Sequence, residues 1–415
     1  MDYCALVQSF SLNRPKDTLM LSLFGYGKTT KAIAKEYGKC AFFDDAFTCK
    51  SEDEFGNVLL PPCEFDPERS DIQIPSPGFP PNHPLIQKSR NVTSEYDYFK
   101  DVMPFSIWIS GTNGKTTTTQ MCEHLLQDKG AVAGGNIGIP LAELSPQSPI
   151  WILETSSFTF HYTKHATPDI YLLLPIKPDH LSWHGSMEAY AEAKLSPLSR
   201  MREGSVAIIP QEFAKTTTLA HLITYENEHD LCKKMGIDIT KVHFRTPFLL
   251  DAILALCAQK ILFDSADYSK INTFKIDHYK IEEFRDARDR LWVDDSKGTN
   301  VDATIEALKR YKDKSILLIL GGDDKGVDLQ ELFNFMKSLH VKIFAIGANT
   351  DKLTALAQKA KVTIEPCYVI EKAMELMHKE HTSTSVALLS PAAASLDQFK
   401  SYAHRGDRFK ELALS

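Results

Sequence analysis

The chain has 415 residues, 43% hydrophobic and 24% charged, and a formal net charge of −7, which excludes a disordered polymer and gives no overall basic footprint for nucleic acid. No apolar run approaches the ~18 residues of a membrane helix, and residues 1–10 lack the basic-then-apolar order of a secretory leader. The eight cysteines stand far apart with no C-x-x-C pair, so they read as reduced thiols of a cytoplasmic protein, neither a disulfide frame nor a zinc site.

A short apolar strand candidate comes first, Thr18–Phe24, followed by Gly25-Tyr26-Gly27 and a helical segment through Tyr37. Cys40–Phe43 reads as a second strand closed by Asp44 and Asp45. Strand, glycine turn, helix and an acid at the next strand's end make a small Rossmann-like nucleotide-binding unit, although the third glycine of the full fingerprint is missing. The rigid proline loop Pro75–Pro81 precedes the next segment.

Residues 95–275 alternate apolar runs with helical patterns. Phe105–Ile109, Ile150–Leu153, Ile170–Leu174 and Val206–Ile209 are short, continuous and apolar, as buried parallel strands are. Residues 276–415 repeat the plan. Strand candidates Leu291–Val293, Ile316–Leu320, Val341–Ile346 and Val386–Leu389 are separated by helical patterns at Val301–Tyr311, Leu329–Ser338, Lys352–Lys359 and Leu396–Leu412. The expected fold is α/β in three domains: a Rossmann-like N-terminal unit (1–94), a central P-loop ATPase-type parallel sheet (95–275) and a Rossmann-like C-terminal domain (276–415).

The strongest local signal is Ser110-Gly111-Thr112-Asn113-Gly114-Lys115-Thr116-Thr117, set between a strand and a helical run to Leu126. Glycines let backbone N–H groups close around phosphates, the helix N-terminus favours negative charge, and Lys115 meets the β/γ-phosphates. Thr116 is the hydroxyl for Mg²⁺. The loop is shorter than the general G-x-x-x-x-G-K-T pattern, because position 109 is Ile. Glu154 and His180 follow neighbouring strand candidates, where ligands bind in an open α/β sheet, and with Lys115 they form a candidate metal cluster. His184, four residues after His180, raises a zinc pair. No helical pattern frames the two and no third ligand is in register, so that reading is set aside.

Assembled in order, the motifs Gly111–Thr117, Gly135-Asn136-Ile137-Gly138, Glu154-Thr155-Ser156-Ser157-Phe158, Asp179-His180-Leu181, Lys194, Asp295-Ser296-Lys297-Gly298-Thr299-Asn300 and Gly321-Gly322-Asp323-Asp324-Lys325 resemble those of the Mur ligase family over nearly the whole chain. The closing stretch Ser390–Phe399, with Arg405-Gly406 and Phe409, resembles the D-glutamate-adding branch. The resemblance implies an ATP-dependent, ADP-forming ligase of cytoplasmic peptidoglycan precursor synthesis that joins D-glutamate to UDP-N-acetylmuramoyl-L-alanine through an acyl phosphate. It implies two Mg²⁺ ions on Thr116, Glu154, His180 and a carbamylated Lys194, with Lys115, His180 and Lys194 as the catalytic groups. It further implies ATP contacts along Gly111–Thr117 and from Asp295 and Lys297. Substrate contacts are expected from Asn136, Ser157, Thr299, Lys325, Ser395 and Tyr402. The expected enzyme is a monomer with no nucleic-acid partner and no membrane insertion. Two stretches depart from the family pattern: Arg245–Asp251, where the family has His-Asn-x-x-Asn near the adenine, and His278-Tyr279 in place of His-Arg. Two alternatives stand beside this reading: folylpolyglutamate synthase, against which the Ser395–Phe399 motif and the small first unit argue, and a P-loop switch, which has no use for a carbamate at Lys194.

Overall fold

The computed structural model describes residues 21–415, so Thr18, Leu19 and Met20 of the first strand candidate, and Cys4, lie outside the described residues. The chain folds into two compact units. One takes in the described residues up to Phe244 with Leu249–Thr273, and the other Arg245–Phe248 with Phe274–Ser415.

The first unit holds two sheets. The smaller runs β3-β4-β2-β1-β5, from β1 (Leu21–Phe24), β2 (Ala41–Phe43), β3 (Ser51–Glu52), β4 (Val58–Leu60) and β5 (Ile72–Pro75). Its partners are parallel except at the β3–β4 edge. The helix Lys28–Tyr37 follows β1 and buries Ala32, Ile33 and Ala34.

The larger sheet runs β11-β10-β9-β6-β8-β7, from β6 (Phe105–Ser110), β7 (Ala131–Gly135), β8 (Ile150–Glu154), β9 (Ile170–Leu173), β10 (Val206–Pro210) and β11 (His221–Tyr225). Every pairing is parallel, and every residue of β8 and β9 is buried. A sheet covered on both faces needs no polar alternation, which is why these strands read as continuous apolar runs. Trp108 on β6 and Trp151 on β8 are both fully buried, each stabilising the layer by on the order of 4 kcal/mol. Strand β6 lies between β8 and β9, so strand order reverses around it, and the carboxyl ends of those three strands are where an open α/β sheet binds its ligands.

The second unit holds the sheet β12-β13-β17-β14-β15-β16, from β12 (Glu282–Arg285), β13 (Leu291–Asp294), β14 (Ser315–Leu320), β15 (Val341–Ile346), β16 (Thr363–Tyr368) and β17 (Ser385–Leu389). Only the β12 edge is antiparallel. The helical patterns at 301–311, 329–338 and 352–359 correspond to Val301–Arg310, Gln330–Met336 and Thr350–Ala360. The expected helix Leu396–Leu412 is corrected: it begins only at Tyr402, where the Ser401 hydroxyl caps it by accepting the His404 N–H.

Candidate active site

The phosphate loop is built by steric and hydrogen-bond constraints that its sequence supplies. Gly111 turns the chain out of β6 at φ 144°, and a β-carbon there would run into the Leu174 side chain that follows β9. The Thr112 N–H donates to Pro175 O at 3.1 Å and its hydroxyl to Lys177 O at 3.0 Å, tying the loop to the segment beyond β9. Gly114, at φ 84°, caps the helix Lys115–Leu126, and a β-carbon there would overlap the Asp251 carboxylate. Asp251 in turn accepts the Thr118 hydroxyl at 2.8 Å. The departure from the family pattern at Asp251 therefore sits directly behind the loop. Asn113 and Thr116 are half-buried and Thr117 is buried.

Two lysines converge on one oxygen. Lys115 Nζ donates to Gly111 O at 3.0 Å and to Thr112 O at 2.6 Å, and Lys194 Nζ donates to the same Gly111 O at 2.7 Å. Lys194 is 1% exposed. Its helix, Met187–Leu195, places Tyr190 and Lys194 on one face, one turn apart. Tyr190 puts its hydroxyl 3.1 Å from that of Thr112, and its ring lies 4.8 Å from Lys194 Nζ. Burial, and next the charge of Lys115, hold the Lys194 amine well below the ordinary lysine range, against the opposing pull of Asp179 and Glu154. The solvated lysine that a helical run suggests is thus a buried amine driven toward its neutral form.

Glu154 closes β8 and is 3% exposed. Its Oε1 accepts Asn136 Nδ2 at 3.0 Å, while its buried Oε2 has no hydrogen-bond partner among the described residues. His180 stands exposed in the left-handed region, φ 53°, at the head of the turn Leu181–His184. Its ring meets Phe158 edge-on at 4.8 Å and lies 6.4 Å from that of Tyr190. His180 and Lys194 thereby share Tyr190 as a neighbour. A single helical turn does link His180 and His184, contrary to expectation. His184 nevertheless points to Ser157, with Nε2 2.9 Å from the buried Ser157 hydroxyl. Among the described residues, no three side chains of His, Cys, Asp or Glu gather closely enough to hold a metal. Of the expected set Thr116, Glu154, His180 and Lys194, only two are of those types.

In the second unit, the loops after β13, β14 and β17 meet at one edge of the third sheet. Ala392 N donates to Gly298 O at 3.1 Å, Gly321 N to Pro391 O at 2.9 Å, and Asp323 and Ala394 pair in both directions. These bonds bring the Asp295–Thr299, Gly321–Lys325 and Ser390–Phe399 motifs together. Lys297 Nζ lies 5.6 Å from the centre of the exposed Tyr402 ring, Thr299 and Lys325 are exposed, and Ser395 is buried. Asp295 is buried and accepts the Ser390 hydroxyl at 2.6 Å; burial pushes its carboxyl up to about 8. Arg405, also buried, donates through Nη2 to Ser296 O and Ala393 O, both at 3.0 Å, and so fastens two of the three loops. Sequence reasoning passes over Tyr190, although its place one helical turn before Lys194 is a local signal; it marks Asp251 only as a departure from the family pattern and Arg405 only as part of the closing motif.

A family model described as the Mur ligase middle domain matches residues 109–250. The UDP-N-acetylmuramoylalanine–D-glutamate ligase of Campylobacter jejuni strain 81-176 is 56% identical over 397 residues, covering 95% of this chain and 99% of that protein. The Helicobacter pylori HPAG1 protein of the same name is 44% identical over 420 residues, covering 95% and 100%. Among solved structures, the MurF ligase of Thermotoga maritima in complex with ADP matches with a TM-score of 0.58 at 16% identity, covering 96% of this chain and 98% of that one, a likeness of fold. Sequence identity of this depth over 95% of the chain means that it belongs to the Mur ligase family, among the UDP-N-acetylmuramoylalanine–D-glutamate ligases.

Proposed function

We propose that this chain joins the amine of D-glutamate to the alanyl carboxylate of UDP-N-acetylmuramoyl-L-alanine, with cleavage of ATP to ADP and phosphate, as a cytoplasmic step of peptidoglycan precursor synthesis. The observation that carries this reading is the pair Lys115 and Lys194 on one carbonyl, beside the unused oxygen of Glu154. A carboxylate and a triphosphate repel each other, so their meeting needs concentrated positive charge and a dry surround. Lys115, at the head of its helix, neutralises the γ-phosphate. The neutral Lys194 amine is the form that takes up CO₂, and the resulting carbamate is an acid facing the same crevice as Glu154. Converted in this way, Lys194 fits with Glu154, His180 and the Thr116 hydroxyl as holders of Mg²⁺, which when bound neutralises phosphate and carboxylate oxygens.

The alanyl carboxylate takes the γ-phosphoryl group to give an acyl phosphate. The D-glutamate amine then attacks its carbonyl carbon, the C–O bond to phosphate breaks, and the ammonium proton leaves on the released phosphate, with His180 beside the reacting amine. Asn136 and Ser157 contact the muramoyl substrate, the Gly111–Thr117 loop with Asp295 and Lys297 contacts ATP, and Thr299, Lys325, Ser395 and Tyr402 receive D-glutamate. The three-domain division at 94/95 and 275/276 and a monomeric state belong to the same proposal. Phosphate release measured with ATP, Mg²⁺ and UDP-N-acetylmuramoyl-L-alanine tests it. Release that requires D-glutamate supports the reading, and release supported equally by tetrahydrofolate and L-glutamate overturns it.

A further inference from the structure

The turn Leu181–His184 is fastened through its last two residues, whose side chains the proposed chemistry leaves unused. Trp183 Nε1 donates to Gly78 O at 3.3 Å, in the proline loop that follows β5. Beside it, the Tyr162 hydroxyl donates to Phe79 O at 2.8 Å. On the next residue, His184 Nε2 lies 2.9 Å from Ser157 Oγ.

The His184 ring has little freedom to be elsewhere. It stacks on Phe158 with centroids 5.7 Å apart and planes 9° apart, meets Tyr190 at 5.2 Å and touches the Trp183 ring at 4.5 Å. Rings on several sides fix both the place and the tilt of Nε2, which a surface histidine would not have.

A serine hydroxyl ordinarily rotates to suit whichever partner is nearest. Here the 2.9 Å bond removes that freedom and leaves the remaining donor or lone pairs of Ser157 aimed in one direction before any ligand arrives. Such pre-orientation lowers the ordering cost of binding. We propose that His184 is a positioning residue for the ligase reaction: it acts through Ser157, holding that hydroxyl in the orientation that receives UDP-N-acetylmuramoyl-L-alanine. This rests on the reading of Ser157 as a contact of that substrate.

The test uses the full-length enzyme and four variants, H184F, H184Q, S157A and the double variant S157A/H184F, with KM for each of the three substrates measured separately. H184F keeps a ring among the aromatic neighbours and deletes the bond. Its KM for UDP-N-acetylmuramoyl-L-alanine should rise by on the order of tenfold, as for one lost hydrogen bond in a partly buried site. KM for ATP and D-glutamate should stay within about twofold. H184Q, whose amide reaches the place of Nε2, should recover most of the loss. S157A should match H184F, and the double variant should be no worse than S157A alone, because the two residues act as one unit. If S157A raises that KM while H184F leaves it alone, or if the two effects multiply, the positioning role is overturned and the Ser157 contact stands. If S157A itself has no effect, the substrate reading of Ser157 falls, and the proposal with it. A role in fastening the turn alone would lower the melting temperature of H184F and H184Q with KM untouched, and would equally overturn the proposal. Should H184F not fold, H184L carries the same comparison.

Discussion

Glu154 offers a perturbation in which stability and activity should move in opposite directions. One carboxylate oxygen accepts Asn136 Nδ2 at 3.0 Å, and the other is buried with no partner among the described residues. Replacing Glu154 by glutamine keeps the shape and keeps an oxygen for Asn136, but removes a charge that the apoprotein holds desolvated and half-satisfied. Leaving a charged acceptor unpaired in a buried place costs about 1–3 kcal/mol. The amide that takes its place is neutral and loses less, so E154Q in metal-free buffer should be as stable as the parent or more stable by about 1–2 kcal/mol, a rise of a few degrees in melting temperature. Ligation should fall by on the order of 10³-fold, the scale of losing one preorganised electrostatic partner. Thermal melts with and without Mg²⁺ and a nonhydrolysable ATP analogue provide the assay. The parent should gain stability from the pair of ligands and E154Q should gain much less. A metal-free E154Q that melts well below the parent, or an equal gain from Mg²⁺ and nucleotide in both proteins, would refute the reasoning.

Lys194→Ala should abolish ligation, with partial rescue by formate or acetate supplied as a free carboxylate, and stripping CO₂ from the parent should slow it until bicarbonate is returned; phosphate release reports both. Lys115→Ala should lower turnover by on the order of 10³-fold with little change in melting temperature, since its two acceptors are carbonyls of its own loop. Asp295 predicts a pH effect on the second unit's sheet. Its carboxyl stands near 8 when folded, against about 3.9 unfolded, so between those values the folded state binds the proton and the unfolded chain does not. Stability from this group is therefore present at low pH and is lost as pH rises toward 8; D295N should flatten that slope in melts at pH 5 and pH 7.5. Ser395→Ala should raise KM for D-glutamate and leave KM for ATP unchanged in steady-state assays.

The parts of this molecule that were legible in the sequence are those whose determinants are local. β8, β9 and β14 are continuous apolar runs because they are covered on both faces, and a glycine-rich turn between a strand and a helix announces a phosphate loop. β7 was not read because its residues, Ala131-Val132-Ala133-Gly134-Gly135, are too small to register as an apolar run, and Gly134 has Leu144 packed where a side chain would lie. β12 escaped because Glu282-Glu283-Phe284-Arg285 is an edge strand with every residue at least partly exposed. The last helix starts six residues later than its pattern suggests, since residues 396–401 belong to the irregular run after β17.

Lys194 shows most clearly what a sequence pattern cannot hold. Met187–Leu195 is rich in Ala and Glu and carries no apolar stripe that would mark Lys194 as an inward position. Its burial comes from partners far away in the chain: Tyr171 on β9, whose hydroxyl donates to Lys194 O at 2.6 Å, and the Gly111 carbonyl on the phosphate loop. Two lysines on one oxygen are electrostatically unfavourable, and a fold under selection for stability alone would place a leucine or methionine at 194. Burial lessens the conflict by driving the Lys194 amine toward its neutral form, and the proposed carbamate would reverse its sign. With a carbamate at Lys194, the same volume holds two acids, Glu154 and the modified Lys194, and one cation, Lys115, a balance suited to a divalent ion and a phosphate together. On the proposed chemistry, the buried lysine and the unused oxygen of Glu154 are two sides of one arrangement, each unfavourable in the apoprotein and each resolved by carbamylation and a bound divalent ion.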